Sequence, residues 1–184
     1  MVRFFITFLV LQAVLFGAEL TPWAQRFFVV PWTNQLAAIS AGLVTLADPD
    51  VVAVGKILRS TRNDFAVSIE AGCNGVEATI VLLAAMLAFP APWRSKLIGL
   101  AAGILAVQGL NVVRVISLFY LGQWDYTIFE WAHLYVWQAL IMLDVLIVWL
   151  VWVRMLPRAP GEGGGGASSG GGRPPGSAVA PLSA

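Results

Sequence analysis

Long apolar runs separated by short polar patches set the plan of this chain. Residues 4–20, 75–89, 97–118 and 134–153 carry almost no charge, and each is read as a membrane helix against the roughly 20 residues that a span requires. The second run is short, about 15 residues, and has to sit where protein neighbours or a thinned bilayer tolerate it. Pro90 and Pro92 stop it sharply. A fifth run, 34–47, has only 14 residues and is interrupted by Asn34, Gln35 and Ser40, so an interfacial or re-entrant helix is expected there in preference to a span. Residues 48–73 are too polar to cross. Phe65, Val67 and Ile69 alternate with Ala66, Ser68 and Glu70, the period of a half-buried strand. Its expected partner is 51–58, across the polar turn 60–64. The fold class is therefore an all-α integral membrane helical bundle with a small extracytoplasmic β-hairpin. It has about four spans plus one interfacial or re-entrant helix.

Charge gives the bundle its sides. Arg94 and Lys96 follow the second run, and Arg154, Arg158 and Arg173 follow the last, whereas 119–133 holds Asp125 and Glu130 with no Lys or Arg. The positive-inside rule then places 90–96 and the C-terminus in the cytoplasm and 119–133 outside. A multi-pass protein of the cell inner (plasma) membrane is expected. Arg3 before an apolar core also fits a secretory leader, but Phe16-Gly17-Ala18 is a poor small-x-small cleavage site, so an uncleaved anchor is preferred.

Composition narrows the class. Hydrophobic residues make up 59% against 11% charged, and the mean hydropathy of +0.81 excludes an ordinary soluble domain. A net charge of +1 says nothing about nucleic acid, but no basic stripe interleaved with aromatics is present, and no nucleic-acid partner is expected. One cysteine forbids an internal disulfide. One cysteine with one histidine is also too few for a zinc site, so neither metal nor cofactor is expected. From Pro157 onward Gly, Pro, Ser and Ala dominate. The expected organisation is a polytopic membrane catalytic domain over 1–156 and a disordered cytoplasmic tail over 157–184.

The candidate chemistry lies at the ends of the apolar runs. Cys73 sits in Glu70-Ala71-Gly72-Cys73-Asn74-Gly75-Val76-Glu77, where a helix begins. The glycines allow a tight turn, Asn74 is a candidate N-cap, and the positive end of the helix dipole is expected to lower the thiol pKa. Arg114, in Gln108-Gly109-Leu110-Asn111-Val112-Val113-Arg114-Val115, is a charge inside a span, which is costly and marks function by default. It is placed about four residues, roughly 6 Å, from the outer end of its helix. Asn111 shares its face, and Gln108 lies one turn deeper. His133 opens the last run with a near-neutral pKa suited to general acid–base work. Glu77, at matching depth, is expected to pair with Arg114. Asp144, near mid-span, is expected to be protonated or hydrogen-bonded to a group such as Gln108, in a structural role. A nucleophile, an anion-stabilising cation and a titratable base at one interface compose a thiol acyl-transfer enzyme.

The Cys-x-Gly at the mouth of one helix, the Asn-x-x-Arg-Val of a later helix and the His opening the next resemble the exosortase/archaeosortase family of membrane transpeptidases. The resemblance covers roughly residues 50–150 and is nearest to compact, exosortase H-like members. It implies that Cys73 is the nucleophile, Arg114 the transition-state partner and His133 the third member, with Asn111, Glu77 and Asn74 in support. It also implies the partners: exported proteins with a C-terminal, PEP-CTERM-like sorting signal (a short motif, a hydrophobic helix and a basic end), and a membrane lipid or envelope acceptor. Two departures are visible. Asn74 stands where many members have Ser, and the chain lacks the extra spans of larger members. The alternative is a non-catalytic scaffold or assembly subunit of an envelope or polysaccharide export system, with Arg114 and Asp144 as helix-packing polar glue. A small transporter is disfavoured because no continuous polar path reaches the cytoplasmic side.

Overall fold

The computed structural model describes residues 2–156; the tail expected over 157–184 lies outside them. Five helices account for most of this region: α1 Val2–Glu19, α2 Pro22–Val44, α3 Val76–Ala88, α4 Trp93–Trp124 and α5 Tyr126–Met155. All except α3 are long and apolar enough to cross a membrane. The all-α membrane bundle with a small sheet is thus the fold.

Helix α3 has only 13 residues, and its neighbours explain how it is tolerated. Helix α1 runs antiparallel along it: Leu15 and Phe16 pack on Val76 and Ile80, while Phe4 at the other end of α1 meets Phe89 edge-on. On its other faces Leu82 and Met86 are fully buried with Val107 of α4 and with Ile141 and Val145 of α5. Protein rather than lipid covers most of it, so its short length leaves no polar backbone in hydrocarbon.

Helix α2 corrects the sequence reading. The short element expected over 34–47 is the second half of a 23-residue helix. Thr21 caps it, its hydroxyl accepting from Ala24 N–H at 3.2 Å, and Pro22 occupies the first turn, where a missing N–H costs nothing. Pro31, which has no N–H to give the preceding turn, follows a π turn over Gln25–Val29. From Val29 to Val44 its buried side chains pack on the first turns of α3, on the sheet, and on Val115 and Phe119 of α4. All these contacts lie at one end of the bundle, so α2 roofs that end.

The sheet also differs from expectation. Residues 51–58 do not form one strand. They split into β1 (Val51–Val54) and the start of β2 (Ile57–Ser60), and β3 (Ala66–Ser68) completes a three-stranded antiparallel sheet in the order β1-β2-β3. Gly55, at φ 58°, makes the intervening turn, and the register runs from Val51↔Ser60 to Val54↔Ile57. The expected pairing of 65–69 with the preceding strand holds, with Leu58 opposite Val67. Leu58, Ile69 and Phe119 are buried in one cluster, which fixes the sheet to α2 and α4. The expected loop over 119–133 is absent. Helix α4 runs on to Trp124, and Asp125 alone breaks the chain by capping α5, its carboxylate accepting from Thr127 N–H at 2.7 Å and Ile128 N–H at 3.1 Å.

Candidate active site

The nucleophile candidate lies on a loop stitched down by distant helices. After β3 the chain stays extended to Ile69, whose N–H donates to Lys56 O, then turns so that Cys73 N–H donates to Glu70 O. Gly72 at φ 83° and Gly75 at φ 73° adopt the left-handed conformation that glycine alone enters without strain. Four successive carbonyls are then taken by side chains. Arg114 Nη1 donates to Gly72 O at 3.4 Å, Asn111 Nδ2 to Cys73 O at 3.2 Å, Trp32 Nε1 to Asn74 O at 3.2 Å and Gln108 Nε2 to Gly75 O at 3.1 Å. Gln108, Asn111 and Arg114 recur every three residues on α4, one face gripping one loop. The N-cap position falls on Gly75 rather than on Asn74 as expected; Asn74, one residue earlier, turns its side chain to accept from Val76 N–H at 3.0 Å.

The three candidate catalytic residues meet. Arg114 Nη2 donates to Cys73 Sγ at 3.5 Å, and His133 Nε2 lies 3.8 Å from the same sulfur. All three line a small cleft of about 150 Å³ beside β3. His133 belongs to a π turn over Ala132–Val136, a local widening of α5 often found where a helix aims a functional side chain. Phe129 stacks parallel on the imidazole, with ring centroids 5.8 Å apart, and fixes its plane.

Several expectations are corrected. Arg114 is not near a helix end: α4 continues ten residues beyond it to Trp124, and the side chain is 3% exposed, which removes snorkelling as its explanation. Glu77 makes no ion pair with Arg114 among the described residues; its carboxylate accepts from Gly72 N–H at 2.6 Å and holds the other side of the same loop. Among the described residues Asp144 Oδ2 has no hydrogen-bond partner, and Gln108 Nε2 donates elsewhere, to Gly75 O and Thr79 Oγ1. The thiol is not acidified overall. Burial pushes the Cys73 pKa up, Arg114 pulls it back down, and Glu77 and Glu70 add to the rise.

The model of the family described as Transmembrane exosortase (Exosortase_EpsH) matches residues 2–151. The chain belongs to the transmembrane exosortase family. No curated protein and no solved structure matches the chain. Family membership supports, in general terms, a membrane transpeptidase-type role for this exosortase.

Sequence reasoning missed two of the residues that shape this exosortase's loop. Trp32 holds Asn74 O, and Thr33, whose hydroxyl accepts from Asn74 Nδ2 at 3.1 Å, is 5% exposed. Their signal was a polar pair just before the run assigned to an isolated short helix.

Proposed function

We propose that the chain is a membrane cysteine protease/transpeptidase that cleaves C-terminal sorting signals of exported proteins through a Cys73 thioester and passes them to an acceptor. The observation that carries the reading is the approach of one guanidinium nitrogen and one imidazole nitrogen to a single thiol, at 3.5 and 3.8 Å. The Cys73 proton passes to His133 Nε2, and the thiolate attacks the scissile carbonyl. Arg114, held by Gly72 O, stabilises the oxyanion beside a half-buried thiol. Collapse expels the amine, which takes the proton from His133, and leaves the acyl group on sulfur. An acceptor amine, hydroxyl or water then gives its proton to His133 as it resolves the thioester. Asn111 and Glu77 act on the loop: Asn111's amide donates to Cys73 O, so positioning is its role rather than oxyanion binding.

The bundle offers a place for the hydrophobic part of a signal. An apolar groove of about 640 Å³ runs between α1 and α5 over α3, from Phe4 and Trp149 up to Gly72 and Arg114. A helix lying there reaches the thiol from within the membrane. The site end faces the extracytoplasmic side in this reading, since Arg94, Lys96 and Arg154 cluster at the opposite end. The test is co-expression with an exported protein from the same organism that ends in a short motif, an apolar run and a basic cluster. Cys73→Ser and Arg114→Lys should leave the chain accumulating normally while the substrate stays uncut. A chain that still supports processing after both changes is a scaffold.

A further inference from the structure

Strand β3 has one neighbour, because the sheet order β1-β2-β3 leaves it at an edge. Ser60 N–H donates to Phe65 O at 2.8 Å and Ile69 N–H to Lys56 O at 3.0 Å, with Leu58 opposite Val67 between them. Backbone groups of an antiparallel strand face the same neighbour every second residue. Phe65, Val67 and Ile69 therefore turn theirs toward β2, and Ala66 and Ser68 turn theirs away. Among the described residues no hydrogen bond reaches the main-chain N–H or C=O of Ala66 or Ser68. Such an edge is a template for another strand.

What lies beside this edge is the candidate site. Ser68 and Glu70 form one wall of the small cleft, Phe129 and His133 the other, with Cys73 and Arg114 between. Because the thiol, Arg114 and His133 line the cleft beside this edge, the occupant is a substrate chain rather than the sheet edge of a second copy. Arg114 lines both this cleft and the apolar groove, so a chain that passes from one to the other carries a carbonyl beneath the guanidinium and past the sulfur.

Building on the proposed thiol chemistry, we infer that the substrate segment on the acyl side of the scissile bond docks as an added strand on β3, its main chain bonding to Ala66 and Ser68. Edge addition draws affinity from the peptide backbone and leaves selectivity to alternate side chains. The accessible edge from Ala66 to Glu70 is about 13 Å long at roughly 3.3 Å per residue, enough for four to five residues of substrate.

The test uses the full chain in detergent, an acetyl-tetra-alanyl chloromethyl ketone, and four analogues, each N-methylated at one alanine. The rate of Cys73 alkylation is read by intact mass, with chloroacetone as the small-reagent reference. Strand docking predicts an alternating pattern. N-methylation at every second residue should slow alkylation about 5-fold or more per lost hydrogen bond, and the residues between should change it less than about 2-fold. Alkylation faster than by chloroacetone but indifferent to the position of the methyl group overturns strand docking and leaves the thiol reading standing. A peptide ketone no faster than chloroacetone overturns both.

Discussion

Gly75→Ala tests whether the loop is held as tightly as its contacts imply. At φ 73° a side chain costs roughly 1–2 kcal/mol in backbone strain. The new Cβ also falls 2.9 Å from Gln108 Oε1, which must shift, and 3.1 Å from Asn111 Nδ2, which must give by a few tenths of an ångström. Displacing Gln108 breaks its bonds to Gly75 O and Thr79 Oγ1, at 3.1 and 3.0 Å, worth about 1 kcal/mol each. The expected loss is about 3–4 kcal/mol. Gly72→Ala is the control, because Gly72 has φ 83° but nothing within 4 Å of its Cβ, so only the backbone term of roughly 1–2 kcal/mol applies. Thermal unfolding in detergent, followed by tryptophan fluorescence, should rank Gly75→Ala below Gly72→Ala and both below wild type. Alkylation of Cys73 by iodoacetamide should be fastest in Gly75→Ala, where the loop is released. If Gly75→Ala is no more damaging than Gly72→Ala, the α4 side chains do not grip the loop.

The pH dependence of thiol modification follows from two opposed influences. Burial raises the Cys73 pKa and Arg114 lowers it, so Arg114→Gln removes the pull toward thiolate. The alkylation–pH curve should move to higher pH, and the rate at a fixed pH below the midpoint should fall; an unmoved curve contradicts the assignment of Arg114 as thiolate partner. At the far end of the bundle Gly99→Ala drives a Cβ into Trp152 Nε1, which donates to Ser95 O at 2.9 Å. Overpacking of this kind costs about 1–3 kcal/mol. It should lower the unfolding midpoint while leaving the alternating pattern of Cys73 alkylation unchanged, and loss of that pattern would show that the two ends are coupled.

Much of this was legible in the residues, and the failures have local causes. Helices α1, α4 and α5 follow from run length, and the convergence of Cys73, Arg114 and His133 followed from their common position at one end of the apolar runs. Helix α2 was cut short because its apolar run was taken to begin only at Asn34, whereas the helix starts with Pro22 in its first turn and continues through Pro31 after a π turn. The 51–58 strand hid a turn at Gly55, whose role depends on a positive φ that hydrophobic alternation does not report. Arg114 was placed too close to a helix end because the polar residues after 119 suggested a loop, yet nothing before Asp125 interrupts the helix. The partner of Glu77 was misjudged because depth matching ranks charges above backbone N–H groups. In a loop with left-handed glycines the free amide of Gly72 was the nearer donor.

The most direct test of the central claim is the intact mass of the chain after brief incubation with a co-expressed exported protein bearing a C-terminal motif, apolar run and basic cluster. The account predicts a hydroxylamine-labile adduct, mapped to Cys73, equal to the cleaved substrate, and lost in Arg114→Gln. Cleavage that continues in Cys73→Ala, or an adduct on any other residue, contradicts it.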